Sequence, residues 1–176
     1  EKRGLYNLPS TPDCLPAFIA DKNVDLFMKH HVFTKEEIFS RYEILLENYV
    51  KTVEIEARTL KEMTVKDFLP AVASYASTVA DQTMAMKAFA QEVPTSEAQA
   101  LVAELGTSYE KLSVSLKDLD ERIKVVSQAE SMQEAADLCH TSLLPAMDAI
   151  RAEADAAETK IPDEELPYPT YDALLF

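Results

Sequence analysis

The chain has 176 residues, with 31 Asp+Glu against 17 Lys+Arg and a formal net charge of −14. So acidic a surface is repelled by phosphate backbones and anionic bilayers, so no nucleic-acid or membrane partner is expected. Only two glycines, Gly4 and Gly106, leave too little turn chemistry for a β-sandwich, a doubly wound sheet or a phosphate-cradling loop.

Residues 1–33 are punctuated by Pro9, Pro12 and Pro16. A short helix is expected after Pro16, through Phe18, Ile19, Val24, Leu26 and Phe27. This lead-in has few partners of its own. It begins Glu1-Lys2-Arg3-Gly4, without a start methionine, and reads as part of a longer protein. Cys14 and Cys139 are far apart and in no C-x-x-C spacing. With no secretory signal and no membrane-length apolar run, a reduced, cytoplasmic chain is expected.

Thr34-Lys35-Glu36-Glu37 reads as a helix N-terminus with its capping glutamate. Ile38, Tyr42, Leu45, Tyr49, Val53, Ala57 and Leu60 follow at helical spacing, widened by Phe39, Leu46 and Val50. Glu37/Arg41, Glu47/Lys51 and Glu54/Arg58 are i,i+4 pairs on the outer face. A face this wide predicts a helix between two bodies, partly projecting. The pattern runs to about Glu92, broken only by Pro70, where no turn residue accompanies the proline. A kink is predicted there rather than a reversal, with the Lys66 carbonyl losing its helical partner.

Beyond the kink, Val65, Leu69, Val72, Ala76, Val79, Thr83, Met86 and Ala90 form the expected inner stripe. Val93-Pro94-Thr95-Ser96 then opens a helix with Leu101, Leu105, Tyr109, Leu112, Leu116, Leu119, Ile123 and Val126 on one face. Ser131-Met132-Gln133-Glu134 opens a last one, with Met132, Ala136, Cys139, Leu143, Met147, Ile150, Ala154 and Ala157 inward and Pro145 mirroring Pro70. Near-heptad seams joined by short connections predict an all-α fold: an antiparallel helical bundle over 34–160, three helices of it in 65–160. Residues 34–64 extend beyond those three or pack on 1–33. Leu69, Val72, Leu105, Leu112, Leu116, Leu119, Ile123, Leu143, Met147 and Ile150 are the expected core. The apolar tail, 161–176, is expected to dock. Leu-Pro-Ala recurs at 15–17, 69–71 and 144–146, without a register that would mark a repeat.

No catalytic, cofactor-binding or metal site assembles from these residues. His30-His31 closes a helix, which polar or cationic side chains do without any metal. Asp137-x-x-His140 is half of a carboxylate-bridged metal pattern whose other half is absent. Gln128–Glu165 holds ten acids against Arg151 and Lys160, net −8, a solvated helix face. The surplus apolar face on 38–60 is the candidate interface: Tyr42, Leu45, Leu46, Tyr49 and Val53, pairing two copies. The competing arrangement folds 1–33 and the tail over that same face.

Arg41-Tyr42-Glu43 through Ala57 resembles the helix after the catalytic core of type III glutamine synthetases. Leu5-Tyr6-Asn7-Leu8-Pro9 and Val32-Phe33-Thr34-Lys35-Glu36-Glu37-Ile38 resemble the close of the catalytic domain. Phe68-Leu69-Pro70-Ala71-Val72, Leu143-Leu144-Pro145-Ala146-Met147 and Pro167-Tyr168-Pro169-Thr170-Tyr171 onward resemble the helical extension. The resemblance implies a non-catalytic C-terminal domain: 1–33 the end of the catalytic domain, 34–160 the extension, 161–176 the tail. It implies a parent that makes glutamine from glutamate, ammonia and ATP with Mg²⁺ or Mn²⁺, through γ-glutamyl phosphate. The family's metal, phosphate and ATP ligands lie upstream of such a segment, so none falls on this chain. Its partners would be its own catalytic domain and other subunits, in a homo-oligomer. An independent helical protein–protein interaction module is the alternative.

Overall fold

The computed structural model describes residues 3, 4, 6–169, 174 and 175. Leu5 and the end of the tail that follows Pro169, apart from Leu174 and Leu175, lie outside the described residues. The described residues form seven α-helices and no strand: α1 (Thr11–Phe18), α2 (Asp21–Lys29), α3 (Lys35–Met63), α4 (Leu69–Phe89), α5 (Ser96–Ser127), α6 (Met132–Leu138) and α7 (Leu144–Glu158). Two five-residue π-helical turns, Thr64–Phe68 and Cys139–Leu143, join α3 to α4 and α6 to α7. The chain therefore passes Pro70 without reversing. Two compact units result, each built from distant stretches of sequence.

The first unit holds residues 1–57 and 120–145. The lead-in makes two helices where one was expected. Ser10 caps α1 by accepting the Asp13 N–H at 3.2 Å, and Pro12 sits in the first turn, where its missing donor costs nothing. Pro16 lies inside α1 and denies the Pro12 carbonyl its usual partner four residues on. Gln133 Nε2 supplies that bond instead, at 3.1 Å. Asn23 Nδ2 donates to the Ala17 carbonyl across the α1–α2 joint. α2 closes with His31 in the left-handed region, φ 54°, its N–H and that of Val32 returning to Met28 and Phe27. The histidine pair is thus helix-end chemistry.

Phe18, Phe27 and Phe33 meet in series, tilted and then edge to face, with ring centroids 5.6 and 5.7 Å apart. The Arg41 guanidinium lies 4.7 Å over the Phe33 ring, fastening the lead-in to α3. This modifies the expected Glu37/Arg41 pair. Glu37 instead completes the capping box, accepting the Thr34 N–H at 2.8 Å while its own N–H donates to Thr34 Oγ1 at 3.2 Å. Hydrogen bonding to the carboxyl from the Thr34 backbone, then from the Thr34 side chain, holds it below the usual range. Ser131 caps α6 in the same way, except that Glu134 reaches the N–H of Glu130 rather than that of the cap.

The second unit holds residues 58–119 and 146–176. Here α4 and α5 make a hairpin, and α7 runs antiparallel to α5, with Lys111 bonded to Glu153 and Lys160 to Glu104. Of the expected core, Leu69, Val72, Leu105, Leu112, Leu116 and Leu119 are buried in this unit, as is Ile150; Met147 is half-buried. In the first unit Ile123 and Leu143 are buried as expected. Four expected inward residues of these seams are exposed: Val65, Met86, Tyr109 and Met132. Val65 lies in the π turn, whose extra residue rotates it out of the stripe. Ser108, one step earlier, takes the place given to Tyr109; 105, 108 and 112 share a face as well as 105, 109 and 112 do. Met132 is the first residue of α6, ahead of its buried turn.

Candidate functional site

The face expected to pair two copies is divided in the structure. Tyr42, Leu46 and Val53 are buried within the chain, Tyr49 is half-buried, and Leu45 alone is exposed, at 47%. Part of the covering comes from α6, whose Gln133 also reaches α1. Tyr42 Oη donates to Gln133 Oε1 at 2.7 Å, and the same amide donates to the Pro12 carbonyl and, at 2.9 Å, to Asp137 Oδ1. One glutamine thereby joins α1, α3 and α6. Burial, then the charges of Glu43 and Asp137, raise the Tyr42 phenol above its ordinary range. Burial first, with Glu54 second, pushes the Cys139 thiol up to about 11. That cysteine is a core residue, not a nucleophile. The large apolar side chains that α3 leaves in solvent are Phe39, Ile44, Leu45, Ile55 and Met63.

Sequence reasoning missed Gln133. Its position as the second residue of a capped helix carries no signal, because the need it answers is created by Pro16, over a hundred residues away.

The tail docks over Ile161–Tyr168, whereas Leu174 and Leu175 are exposed. Ile161 is buried, and Leu166, Pro167 and Tyr168 help wall a cavity of about 390 Å³ with Met63, Phe68 and Ala154. Tyr168 Oη stands 2.6 Å from Asp67 Oδ2 and 3.3 Å from the Met63 carbonyl, so its single proton goes to the carboxylate and the carbonyl takes a weaker share. Burial, then the bond to Asp67 and its charge, push the Tyr168 phenol up to about 12.

Among the described residues, no three His, Cys, Asp or Glu side chains come together as a metal site. Asp137 accepts from Gln133, and His140 is half-buried in the π turn. The residues present do not fit the ATP-bound divalent metal that the resemblance implies for a parent enzyme. No described helix is long and apolar enough to cross a membrane.

An all-α helical region with buried seams and, among the described residues, no metal-ligating cluster is the class these features define. Residues 1–87 match the family model for the glutamine synthetase C-terminal domain. Over 99% of its length the chain is 40% identical to a glutamine synthetase of Butyrivibrio fibrisolvens, spanning 25% of that protein. It is 28% identical over 99% of its length to a glutamine synthetase of Bacteroides fragilis (strain YCH46), again 25% of the relative. It is 28% identical over its full length to a type-3 glutamine synthetase of Dictyostelium discoideum, 24% of that protein. These matches place the chain in the glutamine synthetase family, as a C-terminal region of the type III kind. The chain spans about a quarter of the length of the curated relatives it matches.

Proposed function

We propose that this chain is the non-catalytic, subunit-packing part of an enzyme that joins ammonia to glutamate at the expense of ATP. The parent's ATP and Mg²⁺ or Mn²⁺ are held by other parts of the polypeptide. Residues 1–33 are the end of the catalytic domain, 34–160 the helical extension and 161–176 its tail. The observation that carries the reading is the apolar surface of the lead-in. Tyr6, Leu26, Met28 and Val32 are exposed here, in the stretch that resembles the close of a catalytic domain. A larger body against these side chains would remove them from water. Both cysteines are free, which suits a reduced, cytoplasmic protein.

The test uses the parent enzyme with and without residues 34–176. Mass photometry is expected to show that the shortened parent fails to reach the full assembly. Isothermal titration of this chain alone with ATP, Mg²⁺ and glutamate is expected to give no heat of binding. A shortened parent that assembles fully, or glutamine formed by this chain alone, would refute the proposal.

A further inference from the structure

The second unit changes character along α4. Val72, Tyr75, Val79, Gln82, Met86 and Phe89 recur at steps of three and four, so they lie along one stripe of the helix. Exposure along that stripe climbs from 1% at Val72 to 46% at Met86 and 95% at Phe89. The reason is the length of the third helix. α7 ends at Glu158, and Lys160 just beyond it is bonded to Glu104 of α5. Beside the part of α5 before Glu104, and the part of α4 packed on it, α7 no longer runs. Thr83 and Thr95 are buried in this part, whereas Met84 is 63% exposed.

A hairpin with an apolar stripe and no third helix is half of a four-helix arrangement. What completes it must bring helices with apolar residues at the same spacing, and this hairpin is such an element. Charge favours the same partner. Residues 69–103 carry Asp81, Glu92 and Glu97 against Lys87, net −2, in a chain of net −14. Two copies repel one another least where this hairpin meets its twin.

We infer that the outer halves of α4 and α5 form a homotypic interface, in which the hairpin of one copy packs through Met86 and Phe89 on the hairpin of a second. This deepens the subunit-packing reading by naming the surface and its partner. Two side chains, Met86 and Phe89, anchor the contact, so the pair of isolated chains is weak and gains strength where many copies assemble.

Sedimentation equilibrium of the 176-residue chain up to millimolar concentration tests it. A reversible dimer is expected, and Met86→Ser with Phe89→Ser is expected to raise its dissociation constant at least about thirtyfold. Both side chains are exposed, so an unchanged helical circular dichroism signal shows that the variant still folds. Ile44→Ser with Leu45→Ser on α3 is the control and is expected to leave the dimer intact. A chain that stays monomeric at every concentration overturns the inference, as does a dimer abolished by the α3 variant and untouched by the hairpin variant. Neither result bears on whether removing 34–176 disrupts the parent, which separates failure of this interface from failure of the packing role.

Discussion

The two π turns begin from nearly the same local chemistry and are fastened in different ways. Thr64–Phe68 leads into Leu69-Pro70-Ala71, and Cys139–Leu143 leads into Leu144-Pro145-Ala146. In each, the leucine N–H reaches back five residues, to Thr64 and to Cys139. The widened turn answers the same problem twice: a proline one residue on has no N–H, and its ring crowds the carbonyl four residues earlier. The difference lies in what holds the loosened backbone. At the first turn Thr64 Oγ1 bonds back to the Leu60 carbonyl at 2.7 Å, and Tyr168 reaches in from the tail. At the second, Arg122 Nη1 donates to Ser142 Oγ at 2.7 Å and approaches its carbonyl at 3.4 Å, above a fully buried Cys139 and Leu143. Pro16 in α1 poses the same deficit, and Gln133 answers it. Each of these prolines is accompanied by a donor from an element distant in sequence, which reaches the deprived Pro12 carbonyl itself in α1 and neighbouring groups at the two π turns. One turn is strapped from the surface, the other bolted within the core.

The largest expected effect follows from the bolted turn. Leu143 is fully buried, and Leu143→Ala should cost about 2–5 kcal/mol in urea unfolding. Leu116→Ala, in the other unit, is expected to fall in the same range, and a loss below about 1 kcal/mol at either site would contradict the burial described. Arg122→Met comes next. It removes the charged donor to Ser142 and should cost about 1.5–3 kcal/mol, with faster amide exchange over 142–146. Exchange that quickens instead over 64–70 would show that the two turns are not separately held.

The sequence displayed the helices and their buried seams well, because both follow from spacing within one stretch of chain. The kink at Pro70 was legible from the absence of a turn residue beside it. The Thr34–Glu37 box was legible as a four-residue pattern. What was not legible depends on residues far apart meeting. Gln133, Arg122 and Tyr168 are unremarkable in their own helices or tail; only the carbonyls they reach give them a role. The candidate interface on α3 failed to be one surface for the same reason: spacing shows that Tyr42, Leu46 and Val53 are apolar and aligned, not that α1 and α6 supply the cover. Nor does spacing reveal where α7 stops, which is what leaves Met86 and Phe89 uncovered.

The strapped turn offers a smaller and pH-dependent effect. Tyr168→Phe removes the bond to Asp67 and should cost about 0.5–1.5 kcal/mol near neutrality. The Tyr168 phenol titrates near pH 10 when unfolded and is pushed up to about 12 in the fold. Between those values the folded state holds the proton more tightly, so this contribution is complete below about pH 10 and is lost as pH rises towards 12. The stability difference between the native chain and Tyr168→Phe should therefore shrink over that window. Tyr42 and Cys139, present in both proteins, cancel from the comparison. A difference that stays constant to pH 12 would remove the strap as its cause.

The smallest expected effect decides whether the prolines make the widened turns or merely occupy them. Pro70→Ala restores an N–H and lifts the clash with the Lys66 carbonyl, so the local reason for a π turn disappears. Reverting to α geometry would delete one residue from the turn and rotate everything after it by about 100°. Phe68, Leu69 and Val72 are all buried and would leave the core together. Packing therefore outweighs the gain of one hydrogen bond, worth about 0.5–1.5 kcal/mol net. Pro70→Ala is expected to keep the π turn and to change stability by no more than about 1 kcal/mol, the lost rigidity of proline in the unfolded chain roughly offsetting the added donor. Backbone chemical shifts over 62–72 check this. A shift of pattern running on through α4 would mean that the proline, and not the core, sets the register of the helix.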